Sequence, residues 1–115
     1  RIALAIKVIA QKNSKTTMVF DEVDSGIGGA VSTAVGERLK KLGNAKQVIV
    51  VTHSPQVAAF GNDHFIVYKT VKNNESKINL KQLNKDQKVN EIARMLSGKE
   101  TTSEAINAAK KLINE

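Results

Sequence analysis

The first apolar run, residues 1–12 (RIALAIKVIAQK), carries Ile2, Leu4, Ile6, Val8 and Ile9 with few polar interruptions. As a helix it would be apolar nearly all round and therefore buried. No capping residue precedes Arg1, so the run reads as the tail of a helix that starts outside this sequence. Thr17 to Phe20 then predicts a short core strand that stops at Asp21 and Glu22. After a glycine-rich joint, Val31, Ala34, Val35, Leu39 and Leu42 recur at helical spacing, with Glu37 and Lys41 four apart and Gly43 as a C-terminal stop. Gln47 to Val51 predicts a second β-branched strand, and Ser54 and Pro55 suit the N-cap and first position of a short helix through Phe60.

Strand, helix and strand joined by short links make a βαβ unit, so the two strands are expected to be parallel with a right-handed crossover. Parallel strands point their carboxyl ends the same way. Asp21 and Glu22 should therefore share one sheet edge with His53, the edge where open α/β sheets bind ligands. Beyond Gly61, HFIVYKTV and KINLKQL flank the turn-rich KNNES and predict an antiparallel hairpin, with Lys77, Asn79 and Lys81 on a wet face and Ile78 and Leu80 on a dry one. Two helices follow: one from about Asn84 with Val89, Ile92, Ala93 and Leu96 inward, the other opened by a capping box from Thr101 to Glu104. No internal repeat or low-complexity tract is visible. The class is α/β.

At 115 residues the chain has room for one domain, spanning 1–115, that buries roughly two-thirds of its unfolded surface. Its apolar content of 41% and charged content of 25% are those of an ordinary soluble protein, and no apolar run reaches membrane-span length. Cysteine is absent, which removes disulfides and thiolate metal sites and fits a reducing cytosol. No signal-peptide pattern opens the sequence. The net charge of +7 admits nucleic acid as a partner, although only 3% of residues are aromatic and no arginine-rich block appears.

The chemistry concentrates in TTMVFDEVDSGIGG. An unpaired carboxylate beside a buried strand is costly to desolvate, so a cation or a hydrogen-bond donor should compensate it. A magnesium nucleotide meets that need. Asp21 stands where phosphate-binding proteins place the carboxylate that holds Mg²⁺ through water. Glu22 is then placed to accept a proton from an attacking water, and His53 to contact the terminal phosphate or position that water. The plainer alternatives are an acidic pair that caps the next helix and a histidine hydrogen-bonded within a loop. Gly26, Gly28 and Gly29 permit positive φ and close approach of a ligand or another subunit, or form an ordinary loop. LSGKE, residues 96–100, imitates a phosphate loop, but Ala93 occupies the first glycine position and Glu100 follows Lys99. Gly98 is better read as a helix C-cap.

These residues together resemble the ATPase head of SMC-like ATP-binding-cassette proteins, a P-loop NTPase-like fold. MVFDEVDSGIGG is similar to the family's Walker B strand and D-loop, VIVVTHSPQVAA to its H-loop, EIARMLSG to its C-terminal helix, and RIALAIKVIA to the helix after its signature motif. The likeness covers nearly the whole chain and implies the C-terminal part of a head. It implies that Asp21 is the Walker B magnesium residue, Glu22 the catalytic base and His53 the γ-phosphate sensor. Asp24, Ser25, Gly26, Gly28, Gly29 and Thr52 would be nucleotide-side contacts of the two loops. In many such heads the D-loop reads DEVDAALD, whose last aspartate aligns with Gly28. The resemblance further implies ATP and Mg²⁺ as cofactors, a second head as homodimeric partner, DNA bound by the full-length protein, a role in double-strand-break repair and recombination, and a cytoplasmic, nucleoid-associated setting without a membrane partner. This sequence holds no Walker A loop, signature motif or coiled-coil arm, so by itself it is expected to bind ATP weakly or not at all. Alternatives are another SMC-like head, a helicase motor lobe, suggested by DEVD and THS, and a non-catalytic dimerisation or DNA-binding module.

Overall fold

The computed structural model describes residues 16–114. The helix expected over 1–12, with Ile2 and Ile6, lies outside the described residues. Two small sheets and four helices follow one another in the expected order. Strand β1 (Met18–Asp21) and strand β2 (Val48–Val51) pair in parallel, with Met18 opposite Val48 and Asp21 opposite Val51. Helix α1 (Gly29–Gly43) makes the crossover between them.

Alternation along both strands turns Met18, Phe20, Val48 and Val50 toward the core formed by Val35, Leu39, Leu42 and Val57. The inward stripe of α1 is Ser32, Val35, Gly36, Leu39 and Leu42, whereas Val31 and Ala34, both expected inside, are exposed. Gly36 sets this rotation. A Cβ built there would lie 2.4 Å from Cδ2 of Phe60, so only glycine lets the ring that follows helix α2 (Pro55–Ala59) rest against α1. The stop expected at Gly43 is different too. The helix runs through Gly43, and the Asn44 amide donates to the Lys41 carbonyl at 3.3 Å, a tightened last turn that needs no left-handed residue. Glu37 and Lys41 do not close an ion pair, whereas Glu91 and Arg94, three apart further along the chain, do.

Helix α2 bridges two cores: Val57 belongs to the first, and Ala58 packs on the second, built from Ile92, Ala93, Ala105 and Ala109. The second core joins helix α3 (Lys85–Ser97) to helix α4 (Ser103–Asn114). Helix α3 opens with a capping box, the Gln87 amide donating to Asn84 Oδ1 at 2.9 Å and the Asn84 amide to Gln87 Oε1 at 3.0 Å. It ends at Gly98, the C-cap expected there, whose φ of 83° favours glycine. Leu96, expected inward, is exposed, and Met95 packs on the core instead. The cap of α4 sits one residue later than expected, because the Ala105 amide reaches Thr102 Oγ1 at 3.1 Å rather than Thr101. The Glu104 carboxyl, held below the usual carboxylate range by a hydrogen bond from its own amide and by the Ser103 and Thr102 hydroxyls, then lies in the first turn.

Strands β3 (His64–Lys72) and β4 (Glu75–Leu83) form the antiparallel hairpin. Asn73 and Asn74 have φ of 52° and 61°, which a two-residue hairpin turn of the primed type requires. The register sets Val67 opposite Leu80 and Lys69 opposite Ile78. The face expected to be dry is nevertheless open: Ile78 is 80% and Val67 70% exposed, with Leu80, Val71 and Phe65 alongside.

At the hairpin's base Lys88 Nζ donates to the carbonyls of Ala59 and Gly61 at 3.0 and 2.5 Å, tying α3 to the end of α2. Burial lowers the Lys88 pKa, and Lys40 adds to the effect. Burial, and then the Lys88 charge, likewise lower the pKa of His64, whose Nδ1 is enclosed without a hydrogen-bond partner. Arg94 grips Glu91 through two hydrogen bonds of 2.9 and 2.7 Å and holds its carboxyl below the ordinary range.

Two outcomes follow from this packing. Gly36→Ala should lower stability by about 1–3 kcal/mol through overpacking against Phe60, read as a shift of the denaturant midpoint; a gain, as helix propensity alone would give, would mean the ring yields freely. Because His64 is favoured neutral in the folded state, the unfolded chain binds more protons just below the ordinary histidine pKa of about 6.5, and acidification through that value removes stability. His64→Phe should therefore flatten the fall in stability between about pH 7 and pH 5; an unchanged slope in urea titrations would assign that fall to other groups.

Candidate functional site

The carboxyl ends of β1 and β2 open into one mouth. The pairing continues one residue past β1, where the Glu22 amide donates to the Val51 carbonyl at 2.9 Å. Glu22 itself has a φ of 49°, uncommon for a residue with a side chain, and this turn carries the chain off the sheet. The Ser25 amide then donates to the Glu22 carbonyl at 3.1 Å and the Ile27 amide to the Asp24 carbonyl at 3.4 Å. Gly26 takes up the remaining reversal with a φ of 73°. Val23 and Ile27 pack on the first core, so the loop is anchored by its own apolar residues. Gly28, by contrast, has an ordinary extended backbone as the N-cap of α1.

Across the mouth, His53 Nε2 lies 3.7 Å from Glu22 Oε1, with the two side chains 89% and 60% exposed. The residues on either side of His53 are held to the other loop. Thr52 Oγ1 donates to Asp24 Oδ2, and the Ser54 amide donates to the same oxygen at 3.1 Å and to Thr52 Oγ1 at 2.9 Å. Ser54 Oγ caps α2 by accepting from the Val57 amide at 3.4 Å and donates to Gln56 Oε1 at 3.0 Å.

A cleft of about 390 Å³ results, lined by Glu22, Asp24, Ser25, Ile27, Gly29, Ser32, His53, Ser54 and Gln56. That volume lies within the range of small-molecule sites. The start of α1 opens onto it without a side-chain cap and without an acidic residue in its first turn, so the positive end of the helix dipole is left uncompensated there. Of the residues singled out from sequence, Glu22, His53, Asp24, Ser25 and Gly29 line the cleft. Asp21 ends β1 on the sheet face that carries Val19, outside this lining, and Gly26, Gly28 and Thr52 are not part of it either. Sequence reasoning missed Ile27, Ser32, Ser54 and Gln56 as lining residues. A signal existed for Ser32: it is a polar residue on the buried stripe of α1, three before Val35 and only 3% exposed. No group of three or more His, Cys, Asp or Glu suited to a metal occurs among the described residues.

The fold is similar to that of an SMC ATPase. It matches, with a TM-score of 0.62 over 86% of this chain and 58% of the other at 19% identity, a solved structure from work on ATP-driven dimerization and DNA-stimulated activation of SMC ATPases. In sequence the chain is a RecN-type segment. It is 47% identical over 114 residues to the DNA repair protein RecN of Rickettsia bellii, 41% over 114 residues to that of Vibrio cholerae and 38% over 116 residues to that of Bacillus subtilis. These alignments take in 98% or more of this chain but only 20 to 21% of each relative, so the chain spans about one-fifth of their length. No protein-family model matches it.

Proposed function

We propose that this segment supplies the hydrolytic side of the ATP site in a RecN-type DNA repair ATPase. The observation that carries the reading is the approach of Glu22 to His53, 3.7 Å apart at the tips of two parallel strands. The similarity to RecN over nearly the whole chain, and the SMC-head fold, support it. Glu22 would take the proton of the attacking water as general base, an effect of about 10²–10⁴ in rate. Glu22 lines the mouth at the point where its positive φ turns the chain off the strand. His53, a donor when its free ring nitrogen carries a proton, would hold the terminal phosphate or that water.

The chemistry a magnesium ion would supply is neutralisation of the nucleotide's phosphate charge. Asp21, which lies outside the cleft lining, would hold the ion through water rather than directly. This ion commonly keeps several waters and takes one or two carboxylates together with substrate phosphates. Ser25, Gly26, Gly28 and Gly29 form the loop along which a second head would close, with Gly26 supplying the reversal and the uncapped start of α1 facing phosphate charge. In this reading ATP brings two heads together and hydrolysis separates them, moving the parts of the longer protein that engage broken DNA. No helix among the described residues is long and apolar enough to cross a membrane.

The test uses the complete RecN-type protein. Glu22→Gln should retain ATP binding while turnover falls by about 10²-fold or more, followed by phosphate release under saturating ATP. Hydrolysis at the original rate would remove Glu22 as the base.

A further inference from the structure

Residues Thr52, His53 and Ser54 are held as a unit from the opposite loop, and a single oxygen atom does it. Asp24 Oδ2 accepts from the Thr52 hydroxyl and from the Ser54 amide, the two groups that bracket His53. Asp24 lies two residues after Glu22, whose own amide is fixed to Val51, the residue before Thr52. The bonds close a ring: Val51 carbonyl to Glu22 amide, along the chain to Asp24, across to Thr52 and Ser54, and back along the chain to Val51. Glu22 and His53, both carried by this ring, line the cleft with largely exposed side chains.

We propose that Asp24 is a positioning residue: its carboxylate clasps Thr52 and Ser54 so that His53 is held at working distance from Glu22, and it does not itself bind nucleotide or metal. The inference rests on the ATPase reading above and sharpens it, because the same two residues, Asp24 and Thr52, are otherwise candidates for direct contact with the cofactor. The chemistry favours the clasp. Asp24 Oδ2, which already accepts one hydroxyl and one amide proton, has little lone-pair capacity left for a cation, so a direct cofactor contact would fall to Oδ1 alone on a carboxylate whose orientation the clasp already fixes. Charge-assisted bonds of this kind are roughly twice as strong as neutral ones. Thr52 Oγ1 is equally committed, donating to Asp24 while accepting from the Ser54 amide. A residue that acts through two others in this way affects the alignment of reacting groups, and a misplacement of about 1 Å there can cost about 10²-fold in rate.

The two assignments separate in kinetics measured on the complete RecN-type protein. With the clasp, Asp24→Ala and Thr52→Val each lower kcat by about 10- to 100-fold with KM for ATP changed less than about threefold. The double variant is then no worse than either single one, since both remove the same ring. Asp24→Asn, which keeps an acceptor oxygen of the same shape, recovers part of the loss. Amide exchange gives a readout that needs no activity: protection of the Ser54 amide should drop in Asp24→Ala and persist in Glu22→Gln, while the core amides of Val35 and Leu39 stay protected in both, which shows that the variants are folded. A raised KM in Asp24→Ala with Thr52→Val unaffected would overturn the clasp in favour of direct cofactor contact. Undiminished kcat in both would overturn it outright. If Glu22→Gln loses turnover while Asp24→Ala and Thr52→Val do not, the clasp alone fails; if Glu22→Gln turns over normally, the ATPase reading fails first.

Discussion

The hydrogen bond from the Glu22 amide to the Val51 carbonyl, 2.9 Å long, extends the parallel ladder one step beyond the regular strand. Everything at the mouth is referred to it. It fixes where the first loop leaves the sheet, and it does so at a residue already bent to positive φ. Moving the register of β1 against β2 by one residue would turn Met18 and Phe20 away from Val35 and Leu39 and would carry Glu22 off the edge it shares with His53. The core and the site are therefore set by the same pairing.

A second constraint holds the scaffold in place. Helix α2 is only five residues long, yet Val57 enters one core and Ala58 touches the other. Phe60 behind it needs the missing Cβ of Gly36, and Lys88 secures the carbonyls at its end. The loop carrying His53 is thus braced from the helical side as well as from Asp24. The remaining faces are less complete: Val19, Ile49 and Val51 on the parallel sheet, and Val67, Ile78 and Leu80 on the hairpin, are apolar and exposed. They occur in a chain that spans about one-fifth of the RecN proteins it matches.

Much of this was legible because local signals agreed with tertiary ones. The βαβ unit followed from β-branched runs on either side of a helical repeat, and Ser54, Pro55, Asn84 and Gly98 did the capping work their chemistry suits. The face of α1 was misjudged because periodicity alone does not separate a stripe through Val31 and Ala34 from one through Ser32 and Gly36; the Phe60 ring, sixty positions into the sequence, decides it. The cap of α4 slipped by one residue because adjacent threonines offer equal hydroxyls. Strand polarity placed Glu22 and His53 on one edge. It did not reveal that Asp24 and Thr52 bond to each other, since a carboxylate and a hydroxyl 28 positions apart read equally well as ligands and as partners. Nor did it reveal that the dry face of the hairpin is open.

The shared mouth is tested most directly by through-hydrogen-bond scalar coupling in isotope-labelled protein, which reads a donor nitrogen against its acceptor carbonyl carbon. A coupling between the Glu22 amide nitrogen and the Val51 carbonyl carbon, beside one from Met18 to Gln47, is the expected result. Coupling from Met18 to Gln47 with none from Glu22, or with Glu22 joined to a different carbonyl, would place the acidic turn and the histidine loop apart and contradict the account.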